Sequence, residues 1–238
     1  MLFKSGFIKR SGNTASEDEN KAKRSRQRLV VHTKEGKILY GFSLALNKNN
    51  DSFHLDLLDK ANQPLNKSVS VSFAELKALF YVKSFDGRFD PAQFSHAIPE
   101  EAIPLVIQFK DGELISGFST SPRWMEEARF YFIPEDKSSN NLGILVERSA
   151  MEKGMTPEEY RRHQHLAYEK FMAAHENSGF SKHELLGDFY FQEHQYVQSL
   201  KHYQEAREAD PNSPRIRKKL CTTYYNVGVC HVRQHDYE

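Results

Sequence analysis

Three arginines alternate in Arg24-Ser25-Arg26-Gln27-Arg28, directly ahead of the apolar run Leu29-Val30-Val31. A guanidinium fork pairs with phosphate oxygens and stacks on a flat base. Arg24, Arg26 and Arg28 are therefore candidate phosphate contacts, and the plainer reading is a solvated basic linker. A second set lies near the end of the chain. Ser181, Glu184, Asp188, Phe191 and Gln192 share a face of one expected helix, and Thr222, Tyr225, Asn226 and Val229 share a face of another. Acids beside aromatics would hold an apolar side chain next to a basic one of a protein or peptide partner. The histidines offer less. His163 and His165 are two apart and face away from each other on a helix, while His231 and His235 are four apart and share a face. Surface histidines remain the expectation, with no metal site. The chain has no phosphate-binding glycine loop, no Gly-x-Ser-x-Gly, no His-Glu-x-x-His and no Cys-x-x-Cys. No enzyme activity and no cofactor are expected.

Composition sets the bounds for the elements that must position these residues. The chain has 238 residues, 39% hydrophobic and 12% aromatic, enough for real cores in one large or two small domains. A formal net charge of +1 gives no global pull toward nucleic acid or an anionic membrane. The basic charge is local: residues 1–28 carry eight Lys/Arg against Glu17, Asp18 and Glu19. With the polar stretch 11–23, this predicts a disordered basic arm over 1–28. No apolar run approaches the length of a membrane span, and the N-terminus lacks a leader's apolar region. Cys221 and Cys230 are too far apart along one helix to pair. Reduced, buried thiols and a cytoplasmic location are expected.

Residues 29–153 contain a β-rich duplication. Lys34-Glu35-Gly36-Lys37-Ile38-Leu39-Tyr40-Gly41-Phe42-Ser43 matches Lys110-Asp111-Gly112-Glu113-Leu114-Ile115-Ser116-Gly117-Phe118-Ser119. Glu35-Gly36 and Asp111-Gly112 are hairpin turn pairs. Gly41 and Gly117 fall inside the second strand, where glycine permits a sharp bend. Further strands are expected at Phe53-His54-Leu55-Asp56-Leu57 and Phe130-Tyr131-Phe132-Ile133, and at Val69-Ser70-Val71 and Ile144-Leu145-Val146. Each copy is expected to close with a short helical segment, at 73–79 and 148–153. This reads as tandem small β-barrels, a first module over 29–90, a linker over 91–104 and a second module over 105–153.

Several resemblances follow from these residues. Strand, Glu/Asp-Gly, strand, Gly-Phe resembles the first half of an Sm-like or SH3-like barrel. The positions after it, 43–47 and 119–123, lack the Asp and Asn with which Sm proteins hold RNA bases, which argues against nucleic acid. Glu75-Leu76-Lys77-Ala78-Leu79-Phe80-Tyr81-Val82-Lys83 and Phe132-Ile133-Pro134-Glu135-Asp136 resemble a bacterial domain of unknown function found as doublets. The arginine run resembles the Arg-x-x-x-Arg of PilZ domains and implies a cyclic dinucleotide such as cyclic di-GMP. Asp136-Lys137-Ser138 begins the second PilZ element, but Asn141 stands where its glycine is needed.

The remainder reads as helical. Thr156-Pro157-Glu158-Glu159 is a capped helix start for a connecting helix over 156–178. Helices over 181–193 and 196–209 follow, then one from Ser213-Pro214. Leu186-Gly187, Tyr190, Ser199, Tyr203, Ala206 and Pro211 have the spacing of a 34-residue repeat. The segment 180–238 thereby resembles a tetratricopeptide repeat region, with Gly228 to Tyr237 echoing Gly187 to Tyr196 and further repeats expected beyond Glu238. That resemblance implies a groove for a protein or peptide. The expected fold class is α+β multidomain, tandem small β-barrels followed by tetratricopeptide hairpins. The expected function is a non-catalytic adaptor, with a nucleotide or RNA sensor as the alternative.

Overall fold

The computed structural model describes residues 26–234, apart from 45, 60–61, 91–93, 95–97 and 137. Among these residues the β-rich part is one ten-stranded antiparallel sheet. The strands are β1 Gln27–Thr33, β2 Ile38–Ser43, β3 Ser52–Leu58, β4 Pro64–Ser72, β5 Leu76–Val82, β6 Ile103–Phe109, β7 Leu114–Ser119, β8 Arg129–Pro134, β9 Asn141–Glu147 and β10 Met151–Met155. Their order is β10-β6-β7-β8-β9-β5-β1-β2-β3-β4.

This corrects the expectation of tandem barrels. Both halves of the sheet have the order fifth, first, second, third, fourth strand, but they are joined edge to edge. Ala78, Leu79 and Phe80 of β5 pair with Val146, Leu145 and Ile144 of β9. The segments expected to close each copy as helices are single 3-10 turns, Phe73–Glu75 and Arg148–Ala150, each running into a fifth strand. Period decides between helix and strand only when one face is wet. Here β5 is covered on both faces. Leu76 and Leu79 enter one apolar core with Leu29, Val31, Phe53 and Phe73, whereas Ala78, Phe80 and Val82 enter the other with Ile107, Phe130 and Phe132. Neighbouring β1 divides in the same way, Leu29 and Val31 to one core and Val30 to the other. Strands buried on both faces read as continuous apolar runs.

Glycines set the local geometry at two matched places. Gly36 and Gly112 have φ of +82° and +85° at the tips of the β1–β2 and β6–β7 hairpins. At Gly41 and Gly117 a Cβ would come within 2.3 and 2.1 Å of the Asp56 and Ile133 carbonyl oxygens, so the next strand passes too close for any side chain.

Four helices follow among the described residues: α1 Pro157–Ala174, α2 Lys182–Gln192, α3 Tyr196–Ala209 and α4 Pro214–Gln234. Thr156 caps α1 and shares a reciprocal capping box with Glu159. α1 lies against β6 and β10. The tetratricopeptide expectation is corrected as well. Gly187 meets Tyr203 where α2 crosses α3, yet a Cβ on its supposed counterpart Gly228 would meet nothing within 4 Å. The spacing matches, but the crossing that gives it meaning in a repeat does not recur. Tyr237 lies outside the described residues.

Candidate functional site

The sheet register assembles a row of side chains across four strands. Arg28 pairs with Phe42, Phe42 with Asp56, and Asp56 with Ser68. Residues opposite one another in adjacent strands project from the same face, and Arg26, two residues before Arg28, belongs to that face as well. The row borders a cleft of about 590 Å³, lined also by Leu58, Pro64 and Lys67. The β3–β4 connection shapes its far wall. Asp59 accepts from the Gln63 backbone N–H at 2.9 Å, and Asn62 and Asn66 adopt φ of 61° and 49°.

Charge in the cleft is unevenly satisfied. Arg26 pairs with Asp56 at 3.4 Å. Among the described residues, the side chains of Arg28 and Lys67 form no ion pair or hydrogen bond. The Phe42 ring meets Phe85 edge-on, with centroids 5.3 Å apart. Two cations without partners among the described residues and an aromatic wall in a space of this size suit an anion carrying a flat ring. Arg24 lies outside the described residues.

A second cleft, about 410 Å³, separates the Glu35-Gly36 turn from Lys110-Asp111. Two of its three lysines, Lys34 and Lys77, are engaged, while Lys110 is exposed. Lys34 donates to the Ala74 carbonyl at 2.6 Å and to Ser149 Oγ at 2.8 Å. Buried Lys77 bridges Asp111, at 2.6 Å, and Glu113. A ligand drawing on Lys77 would have to break its ion pairs with Asp111 and Glu113, so the Arg28 cleft is the better candidate.

The helical candidates do not form the expected acidic groove. Glu184 is 1% exposed. Its carboxylate accepts two hydrogen bonds from Arg215, at 2.7 and 2.9 Å, and one from Lys219 at 2.8 Å. Burial opposes ionisation of Glu184, but the Arg215 and Lys219 hydrogen bonds outweigh it and hold the carboxyl below its ordinary range. Asp188 accepts from Lys219 and from the Tyr203 hydroxyl, both at 2.7 Å. Burial, then that bond to Asp188, drives the Tyr203 phenol strongly upward.

The other residues of the expected groove are also accounted for. Phe191 packs against the core formed by Tyr203, Ala206, Ile216 and Leu220, so its aromatic ring is structural. Ser181 caps α2 by accepting from the Glu184 N–H, and Gln192 is exposed at the helix end. Thr222 and Asn226 bond to backbone carbonyls of α4 one turn back. Tyr225 is 72% exposed, and Val229 is half-buried beside it on the same helix face. Cys221 is exposed rather than buried, and Cys230 is half-buried; neither forms a disulfide among the described residues.

His165 pairs with Glu169 at 3.3 Å on the exposed face of α1, and His163 lies 3.2 Å from Lys153 Nζ. His235 lies outside the described residues, so its pairing with His231 is not described. The one grouping of possible metal ligands among the described residues is a different one, His183, His202 and Glu205. Its local signal is His202-x-x-Glu205 on one helix face, but the third member comes from another helix and only packing brings it in.

Comparison with known families reaches the sheet. Residues 25–155, more than half of the chain, match a family of unknown function, DUF6982. The chain belongs to DUF6982. The matched segment begins just before Arg26 and ends with β10, so the DUF6982 region is the whole ten-stranded sheet with the Arg28 cleft inside it. That membership replaces the Sm-like doublet and tetratricopeptide identities suggested by short motifs. No curated protein and no solved structure matches the chain. No helix among the described residues is long and apolar enough to cross a membrane.

Proposed function

We propose that this protein is a non-catalytic binding module whose DUF6982 sheet takes a nucleotide-class anion in the Arg28 cleft. The observation that carries the reading is the row Arg28, Phe42, Asp56 and Ser68 beside a cleft whose cations Arg28 and Lys67 have no partner among the described residues. Arg28 and Lys67 would hold phosphate oxygens. Phe42 would stack on a base, and Asp56 would accept from its amino or ring N–H while keeping Arg26 in place. Among the described residues no hydrogen bond joins the Ser68 hydroxyl to Asp56, the carboxylate lining the cleft, so binding rather than turnover is the reading we take. A cyclic dinucleotide, the ligand implied by the PilZ resemblance of the arginine run, is the first to test. A cytoplasmic location suits such a ligand and two cysteines not joined in a disulfide.

Calorimetry of the full chain with cyclic di-GMP, GTP and a short single-stranded RNA is the direct test. Binding of one mononucleotide or dinucleotide is expected, weakened at least 10-fold in Arg28→Glu/Lys67→Glu. Heat from none of the three, or equal affinity in the double variant, would refute the reading.

A second reading, a protein-binding adaptor, rests on α4. Thr222, Tyr225, Val229 and Val232 follow helical spacing on one face, with Tyr225 and Val232 well exposed. Tyr225→Ala should then reduce partner capture from the native cell and leave nucleotide binding untouched.

A further inference from the structure

We propose that His183, His202 and Glu205 form a binding site for a divalent transition-metal cation of the zinc class. The site lies on the helices, outside the DUF6982 region, and stands independently of the nucleotide reading.

Three helical features bring the ligands together. Ser181 caps α2, which puts His183 in its first turn. His202 and Glu205 are three residues apart on α3 and share a face. The close α2–α3 crossing, at which Gly187 touches the Tyr203 ring, then turns His183 toward that face. As a result His183 Nδ1 and His202 Nδ1 stand 2.8 and 2.9 Å from the same oxygen, Glu205 Oε2. One donor atom from each residue lies within 4.8 Å of the other two.

The donor orientations are held from behind. The His202 ring stacks on Tyr190, with centroids 5.4 Å apart and planes 6° apart. The His183 ring stacks on His202 at 5.7 Å. Aromatic support of this kind reduces the reorganisation needed when a metal binds.

The donor set selects the metal. Two imidazole nitrogens and one carboxylate oxygen match a three-residue zinc site with its fourth position left to water. Calcium and magnesium prefer oxygen-only sets. Side-chain exposures of 48% for His183, 19% for His202 and 34% for Glu205 let solvent supply that fourth ligand. A bound cation would also tie the start of α2 to the middle of α3.

The test uses the full chain without an affinity tag, stripped of metal by chelator dialysis and titrated with Co²⁺. One equivalent should give the visible d–d absorption of four-coordinate Co²⁺, with no strong near-ultraviolet thiolate band, and Zn²⁺ should displace it. Zn²⁺ should also raise the melting temperature. Changes behind a ligand already weaken metal binding about 10–100-fold, so His183→Ala and His202→Ala should each abolish the visible band at stoichiometric metal. His183 is half exposed, so His183→Ala should fold, checked by far-ultraviolet circular dichroism. His163→Ala/His231→Ala should keep the band. Absence of the band in the wild-type chain, an intense thiolate band from Cys221 or Cys230, or an equal band in His183→Ala would overturn the proposal.

Discussion

The Arg129 guanidinium carbon lies 4.5 Å from the centre of the Phe73 ring, joining the second half of the sheet to the 3-10 turn of the first. The same side chain donates to the Lys48 and Asn50 carbonyls at 2.7 Å each, and to Glu147 at 3.1 Å. The β5–β9 seam thus has a polar clamp beside its apolar cores.

Removing that clamp should cost more than a surface ion pair. Arg129→Ala would leave the buried Glu147 carboxylate without its cation, a loss of about 3 kcal/mol. Arg129→Lys should recover only part of it, because an ammonium cannot stack on Phe73 and reach both carbonyls. Urea denaturation of the three proteins gives the comparison. Equal midpoints would show that the clamp contributes nothing.

Lys77 supplies a second test of the seam. It projects from β5 to Asp111 and Glu113 of the β6–β7 hairpin and lies 4.6 Å from the Phe109 ring centre. Glu113 Oε1 is buried and has no hydrogen-bond partner. Lys77→Met would strand that carboxylate, at about 3–5 kcal/mol. Lys77→Met/Glu113→Leu should regain most of the loss, since an apolar pair of similar volume avoids the desolvation cost. A double variant as unstable as Lys77→Met would mean that the ion pair itself is indispensable.

Gly187 is expected to tolerate no side chain. A Cβ there would lie 2.4 Å from ring atoms of Tyr203, whose hydroxyl is anchored on Asp188. The ring cannot move away freely, so Gly187→Ala should destabilise the helical part by about 1–3 kcal/mol. Thermal unfolding followed by far-ultraviolet circular dichroism, with Gly228→Ala as a control, measures it. Gly228 faces open space, and its replacement should leave the transition where it is or raise it slightly.

Acid should weaken one inter-half contact in a defined direction. Hydrogen bonds from Lys48 and then Ser121 hold the Glu127 carboxyl below its ordinary 4.5, outweighing burial. A carboxyl lowered in the folded state contributes stability that is fully present above its unfolded pKa and is lost as pH falls through the folded value. The wild type should therefore exceed Glu127→Gln by about 0.5 kcal/mol, the worth of a partly exposed pair, at neutral pH. The difference should shrink only below pH 4.5. A difference that persists unchanged in strong acid would assign the effect to packing instead.

The local elements were legible because their causes are local. The Glu35-Gly36 and Asp111-Gly112 turns, the Thr156 cap with Glu159, and the bounds of α3 follow from residues within a few positions of each other. The strand entry was not legible: residues 27 and 28, expected in a disordered arm, begin β1. Residue spacing along the chain also produced the likeness of 180–238 to a repeat, and there it misled. Spacing specifies which residues can share a helix face and says nothing of what meets that face. Gly187 and Gly228 match in spacing, but only Gly187 meets a ring.

Tertiary structure alone decided the rest. By itself the run Leu76 to Val82 carries no periodicity, because both its faces are covered, one by each half of the sheet. Its pairing with β9 turned two expected barrels into one sheet. Packing also settled which charges are engaged. Glu184 finds Arg215 thirty-one residues away and is lost to any ligand, whereas Arg28 and Lys67 meet no carboxylate among the described residues. His183 reaches His202 and Glu205 only through the α2–α3 crossing. Sequence by itself determined the short-range geometry and the inventory of reactive groups. Which groups meet was set by burial over long separations, where many pairings are open to the chain and only simultaneous packing of both cores selects one.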